Sequence, residues 1–123
     1  MSENKGCSCG CSANKTRLLY SCSGAADVGK FADELTRKLA KDNWGKMTCL
    51  AAMGVELSGF VESAKSVNEN IVIDGCSAGC GKKIFEKLNI PYSSLVLTDM
   101  GLEKGKTQIT PELLDSIAVK IKL

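Results

Sequence analysis

The chain has 123 residues, the length of one domain, and 44% of them are hydrophobic, which is typical of a globular protein. Its 16 basic and 14 acidic residues give a formal charge of +2, and only 5% of the residues are aromatic, so neither a basic patch for nucleic acid nor a base-stacking surface is indicated. No apolar run approaches the roughly 20 residues that span a bilayer, and the first fifteen residues lack the apolar core of a signal peptide. We therefore expect a cytoplasmic protein with no nucleic acid or membrane as partner.

Seven cysteines and no histidine define the chemistry that is open to the chain. In the cytoplasm a disulfide framework is not expected, so the cysteines are metal ligands, redox thiols or small core residues. Without imidazole, any metal site has to be built mainly from thiolates.

Apolar periodicity predicts one α/β domain over residues 17–123, preceded by a polar tail over residues 1–16. The predicted strands and helices alternate along the chain, and the last helix is capped by Thr110 with Pro111 at its first position. In order they are strand 18–22, helix 27–41, strand 47–52, helix 58–67, strand 71–74, helix 81–88, strand 95–98 and a helix from 111.

This alternation predicts a three-layer, flavodoxin-like or Rossmann-like fold, in which helices cover both faces of a four-stranded parallel sheet of strand order 2-1-3-4. The first and third strands are then neighbours, and their carboxyl ends meet at one edge of the sheet. Cys22 follows the first strand, and Cys76 and Cys80 follow the third. The topology therefore brings three cysteines that are distant in sequence to the edge at which open α/β sheets bind their ligands.

The stretch Ile71 to Lys83, IVIDGCSAGCGKK, carries two of these cysteines in a C-x3-C spacing. If its helix starts near Cys76, Cys76 and Cys80 lie one turn apart on the same face, close to backbone N–H groups that stabilise thiolates. Asp74 just before them is expected to cap the turn, and its alternative role is to orient a metal ligand.

A tetrahedral zinc site needs a fourth ligand or leaves an open position, and the sequence offers two sources. Cys49 reaches the edge if the second strand ends at Leu50, but it is a core residue if the strand runs two residues further. The tail carries Cys7, Cys9 and Cys11, which are possible additional metal or redox groups. The tail must run back along a strand of about 17–20 Å, and since six residues reach at most about 20 Å and ten about 33 Å, Cys7 or Cys9 is favoured over Cys11.

Other chemistries fit the same residues. Thiol redox or sulfur-handling chemistry would use Cys76 or Cys22 as the nucleophile, and an iron–sulfur cluster would also accept four thiolates. A phosphate-binding loop is disfavoured at residues 24–30, because Phe31 replaces the Ser/Thr that holds magnesium. Thiol-phosphatase chemistry is disfavoured because Val28 stands where an arginine would follow Cys22 by six positions. No reaction can be assigned from the sequence.

Four spaced motifs resemble a known family. IDGCSAGCGKK, with YSCSGAADVGK and KMTCLAAMG before it and LTDMGLEKGK after it, closely resembles the DGC-domain proteins, for which zinc binding is proposed. The resemblance covers about residues 17 to 115, and the family name describes the Asp-Gly-Cys at 74 to 76. It implies that Cys22, Cys49, Cys76 and Cys80 hold the zinc, and it brings no reaction with it.

Overall fold

The computed structural model describes residues 16–123, so Cys7, Cys9 and Cys11 lie outside the described residues. The sheet is parallel, with strand order β2-β1-β3-β4, which confirms the predicted topology. The strands are β1 (Arg17–Ser21), β2 (Lys46–Met47), β3 (Glu69–Asp74) and β4 (Ser93–Val96). The helices are α1 (Asp27–Lys41), α2 (Leu50–Gly54), α3 (Ser58–Ser66), α4 (Cys80–Leu88) and α5 (Pro111–Lys122).

Alternate residues of the central strands face two separate apolar layers. Leu19, Ile71 and Ile73 point to one face, where they pack against α1 and α5. Tyr20 and Val72 point to the other face, where they pack against residues of α2, α3 and α4. Because side chains alternate along a strand, a continuous apolar run such as Ile71 to Ile73 buries both faces, and this produces the three layers.

The Thr110 cap is confirmed. Its hydroxyl accepts a hydrogen bond from the backbone N–H of Leu113 at 3.1 Å, and Pro111 is the first residue of α5. Proline is well placed there, since the first N–H of a helix has no partner within the helix. In the part of the chain that the structure describes, no helix is long and apolar enough to cross a membrane.

Two strand boundaries differ from the prediction. The second strand has only two residues, Lys46–Met47, and helix α2 already begins at Leu50, so the segment LAA is helical and not extended. The fourth strand lies two residues earlier than predicted, at Ser93–Val96, and a short 3-10 helix follows at Leu97–Met100. In both places an apolar run continues past the sheet into a helical turn, and periodicity alone does not separate these two states in so short a run.

Candidate functional site: a thiol cavity at the carboxyl edge of the sheet

Cys22 lies at the junction of β1 and β3. Its backbone N–H donates to the carbonyl oxygen of Ile73 at 3.1 Å, which extends the pairing of the two strands by one bond. Its Sγ accepts a hydrogen bond from the backbone N–H of Gly75 at 3.3 Å. The sulfur of the first junction is thus held against the Asp-Gly-Cys turn of the third strand, as the topology predicted.

Gly75 permits this close approach. A Cβ at this position would lie 2.6 Å from the backbone carbonyl atoms of Val28, in the first turn of α1. Such contacts are too short for any side chain, so the turn after β3 can pack on α1 only with glycine here. The glycine of the Asp-Gly-Cys motif therefore brings the two strand-to-helix junctions together.

Asp74 caps α4 from the strand that precedes it. The side chain is 1% exposed, and its two carboxylate oxygens accept from the N–H groups of Gly81 at 2.8 Å and Lys82 at 3.1 Å. These N–H groups in the first turn of α4 have no acceptor within the helix. The expected cap is confirmed, and it fixes the start of α4 directly beneath β3.

The two cysteines of the C-x3-C spacing do not share a helical face, because the condition for it, a helix that starts near Cys76, is not met. Helix α4 begins at Cys80, and Gly79 before it has a left-handed backbone with φ of 60°. Cys76 precedes this bend in a turn that the Gly79 N–H closes on the Cys76 carbonyl oxygen at 3.1 Å. The left-handed residue breaks the helical spacing, so only Cys80 lies at the helix start.

An open cavity of about 880 Å³ lies at this edge of the sheet. Three of the four cysteines that the structure describes line it, and each comes from a different segment: Cys22 after β1, Cys49 before α2 and Cys80 at the start of α4. Phe60 of α3 and Ile84 of α4 are apolar parts of its wall. The cavity therefore collects thiols that lie 27 and 31 positions apart in the sequence.

Cys76 is set apart from this group. Like Cys22, it is half-buried and packs against the apolar layer on the α1 and α5 side of the sheet. Unlike Cys22, it is not among the residues that line the cavity. The four cysteines of the family pattern thus divide into three that line the cavity and one that does not.

Cys49 lies at the edge of the sheet, as the first of the two alternatives had it, although the second strand ends before Leu50. The strand ends at Met47, and Cys49 is the exposed residue that immediately precedes α2. The early end of β2 is what brings the Cys49 thiol to the cavity.

Arg37 is the side chain that the sequence did not point to. It lies in the third turn of α1 and lines the cavity, where its Nε pairs with the carboxylate of Asp33 at 3.1 Å. Asp33 also accepts from the Ser23 hydroxyl at 3.0 Å, which ties the loop after Cys22 to α1. The packing of α1 brings this guanidinium to the same cavity as Cys22, which is fifteen residues away in the sequence, and no local motif indicates it.

Phe60 is an exposed apolar residue of the cavity wall. It lies in α3 and is 38% exposed. Its neighbours Val55 and Leu57 are exposed by 71% and 50%. Of these three residues only Phe60 lines the cavity.

The donor chemistry of the cavity fits zinc, but the thiols do not converge. Thiolate sulfur is a preferred ligand of zinc, and three or four such ligands suffice. Within residues 16–123 no group of three or more potential ligands is close enough to hold one ion. The donors are the right kind and face one space, but they are not at coordination distance from a common point.

Comparison with known proteins identifies the family of the chain. A model of the DGC domain matches residues 18–121. The chain belongs to the DGC-domain family. It is also similar to the "Anaerobic and virulence modulator AnvM" of Pseudomonas aeruginosa, with 31% identity over 88 residues, which are 71% of this chain and 67% of that protein. No solved structure matches the chain.

Proposed function

We propose that this DGC-domain protein binds zinc through thiolates at the carboxyl edge of its sheet, with Cys22, Cys49 and Cys80 as ligands. One observation carries the proposal: three separate segments each contribute a cysteine to the same cavity. Cysteines that served only as small core residues would have no reason to face open space together. Cys76 is the fourth thiol that the family resemblance implies.

The ligand count decides what such a metal would do. Four protein ligands make a closed site that is structural or carries the metal, whereas three leave a position for water or another ligand. The protein would supply the sulfur ligands, and two hydrogen bonds near these sulfurs are present in the structure. Gly75 N–H holds the Cys22 sulfur, and the Asp74 cap fixes the helix that begins at Cys80.

Elemental analysis of the full chain, purified without added metal, tests the proposal. We expect close to one equivalent of zinc, and a loss of zinc in Cys80→Ser. Less than about 0.2 equivalents of any metal, unchanged by Cys80→Ser and Cys76→Ser, would overturn it. A brown protein with visible absorbance after anaerobic purification would instead assign the thiolates to an iron–sulfur cluster.

A second candidate is thiol chemistry at Cys22. The Gly75 N–H donates a hydrogen bond to its sulfur, and a backbone N–H in this position favours a thiolate. This candidate predicts that iodoacetamide alkylates Cys22 faster than an ordinary thiol near neutral pH. Zinc that protects Cys22, Cys49 and Cys80 together from alkylation would favour the metal site, and fast alkylation unaffected by zinc would favour the nucleophile.

A further inference from the structure

Cys22 is the one cysteine, within residues 16–123, that belongs both to the thiol cavity and to the apolar layer beside it. It lines the cavity with Cys49 and Cys80. It also packs against the apolar layer on the α1 and α5 side of the sheet, and Cys76 packs against that same layer. Cys22 is therefore shared between the cavity and the region that holds Cys76.

The hydrogen bond from Gly75 limits the distance between Cys22 and Cys76. The Gly75 nitrogen lies 3.3 Å from the Cys22 sulfur, and Cys76 is the next residue. Because consecutive Cα atoms are about 3.8 Å apart, the Cys76 Cα lies within about 9 Å of that sulfur. A disulfide joins Cα atoms about 4.4–6.8 Å apart, which this limit allows. The turn after β3 therefore keeps the two cysteines close together.

The surroundings of the two thiols differ in the way that a redox-sensitive pair requires. Cys22 lines an open cavity, and its sulfur accepts a backbone N–H, which favours the thiolate. Cys76 is half-buried and does not line the cavity. Oxidant-sensitive cysteines are accessible thiolates that lie next to a second thiol, which resolves the oxidised form. The geometry gives Cys22 the first role and Cys76 the second.

We propose that Cys22 and Cys76 are an oxidation site at which a hydroperoxide forms a disulfide, and that this bond releases zinc from the cavity. The proposal rests on the zinc site proposed above, and it gives Cys76 a role other than that of fourth ligand. A metal ligand has to be a thiolate. Cys22 can therefore bind zinc with Cys49 and Cys80 or bond to Cys76, but it cannot do both.

Hydrogen peroxide supplies the oxidising equivalents in two steps. The Cys22 thiolate attacks one peroxide oxygen, so that an S–O bond forms, the O–O bond breaks and hydroxide leaves, which takes up a proton to become water. The Cys76 thiolate then attacks the sulfur of this sulfenic acid, so that the S–S bond forms and the second oxygen leaves as water. In total, two thiols are oxidised to one disulfide, and one peroxide is reduced to two waters.

Disulfide mapping in the full chain tests the pair. The three cysteines before Thr16 are replaced by serine, so that every bond has to come from the described thiols. The metal-free protein is treated briefly with hydrogen peroxide, and peptide mass mapping locates the bonds. We expect a bond between Cys22 and Cys76 as the main product.

Two serine variants separate the roles of the thiols. Cys49→Ser is the matched control, because Cys49 lines the cavity but is not a member of the pair, so the Cys22–Cys76 bond should form as before. In Cys76→Ser the sulfenic acid of Cys22 has no resolving thiol. We expect dimedone, which captures sulfenic acids, to label Cys22 at least about fivefold more in this variant than in the chain with all four described thiols.

Zinc affinity, measured by competition with a chelator, tests the link to the metal site. The oxidised chain should bind zinc at least about tenfold more weakly than the reduced chain, because one ligand is lost. Reduction with dithiothreitol should restore the affinity. Reduced Cys76→Ser should bind zinc within about threefold of the reduced chain that keeps Cys76, since its thiol is not a ligand in this account.

The outcomes distinguish the oxidation site from the zinc site. A main disulfide between Cys22 and Cys49 or Cys80, or the absence of any disulfide, would overturn the pair and leave the zinc site standing. Equal zinc affinities of the oxidised and reduced chains would overturn the release. A Cys22–Cys76 bond between two chains, lost on dilution, would overturn an oxidation site within one chain. Zinc absent from the reduced chain would overturn the metal site and the release with it.

Discussion

The two strand-to-helix junctions of the thiol edge each carry an aspartate that accepts backbone N–H bonds, but the two carboxylates do different things. Asp74, after β3, is buried, and it caps the helix that immediately follows it. Asp27, the first residue of α1, accepts from Val28 of its own helix at 2.8 Å, and also from Gly105 at 2.8 Å and Thr107 at 2.9 Å in a loop almost 80 residues later. One carboxylate binds only its own junction, and the other also binds a distant loop.

The difference explains why the thiols sit where they do. At the β3 junction the local cap and Gly75 fix the backbone from Asp74 to Cys80, so Cys80 has one position at the cavity. At the β1 junction the Cys22 sulfur is bound by a residue of the other junction, through the Gly75 N–H. We therefore expect substitutions in the β3 junction to destabilise the whole domain, and substitution of Asp27 to destabilise only the loop that it binds.

The largest loss of stability is expected from Gly75→Ala. The added Cβ would press on the backbone of Val28, so either the turn or α1 must move. Overpacking of this kind costs about 3 kcal/mol of unfolding free energy, measurable by urea denaturation. Gly59→Ala is the control, because its Cβ enters open space in a helix, where the substitution should stabilise by about 0.5 kcal/mol. Equal stability of the two variants would refute the close approach.

Asp74→Ala is expected to lower the free energy of unfolding by about 2 kcal/mol, since it leaves one buried and one part-buried N–H group without an acceptor. The same urea denaturation measures it. A loss below about 0.5 kcal/mol would mean that the cap contributes no more than a surface contact.

The same substitution at the other junction, Asp27→Ala, should act locally. The Asp27 side chain holds the N–H groups of Gly105 and Thr107, so these amides should exchange with solvent faster in the variant. Amides in β1 and β3 should keep their protection in hydrogen-exchange NMR. Loss of protection throughout the sheet would contradict the contrast between the two junctions.

The Asp27 clamp also predicts a pH dependence. Hydrogen bonds from Gly105 and Thr107 lower the pKa of the Asp27 carboxyl below its ordinary value of 3.8. A lowered pKa means that the clamp contributes fully above pH 3.8 and is lost as the pH falls through the lower value in the folded protein. Protection factors of Gly105 and Thr107, corrected for intrinsic exchange, should therefore hold at pH 5 and collapse only below pH 3.8. A loss that begins above pH 3.8 would contradict the clamp.

The topology and the edge that gathers the thiols could be predicted from the sequence, because continuous apolar runs and amphipathic helices leave few arrangements. The path of the chain between the strands and helices could not be predicted in this way. Gly79 turns left-handed before α4, which removes Cys76 from the helix, and β2 stops at Met47, which moves Cys49 to the start of α2. Arg37 reaches the cavity only through the packing of α1. Short-range sequence patterns do not record such tertiary placements.

The central claim is that three thiols share one cavity and that Cys76 does not belong to them. The direct test compares the zinc affinities of Cys80→Ser and Cys76→Ser, single-atom substitutions four residues apart, by competition with a chelator. Loss of a ligand should weaken binding at least about tenfold in Cys80→Ser, and Cys76→Ser should stay within about threefold of the unmodified chain. Equal losses, or a larger loss in Cys76→Ser, would contradict the division of the four cysteines that the structure indicates.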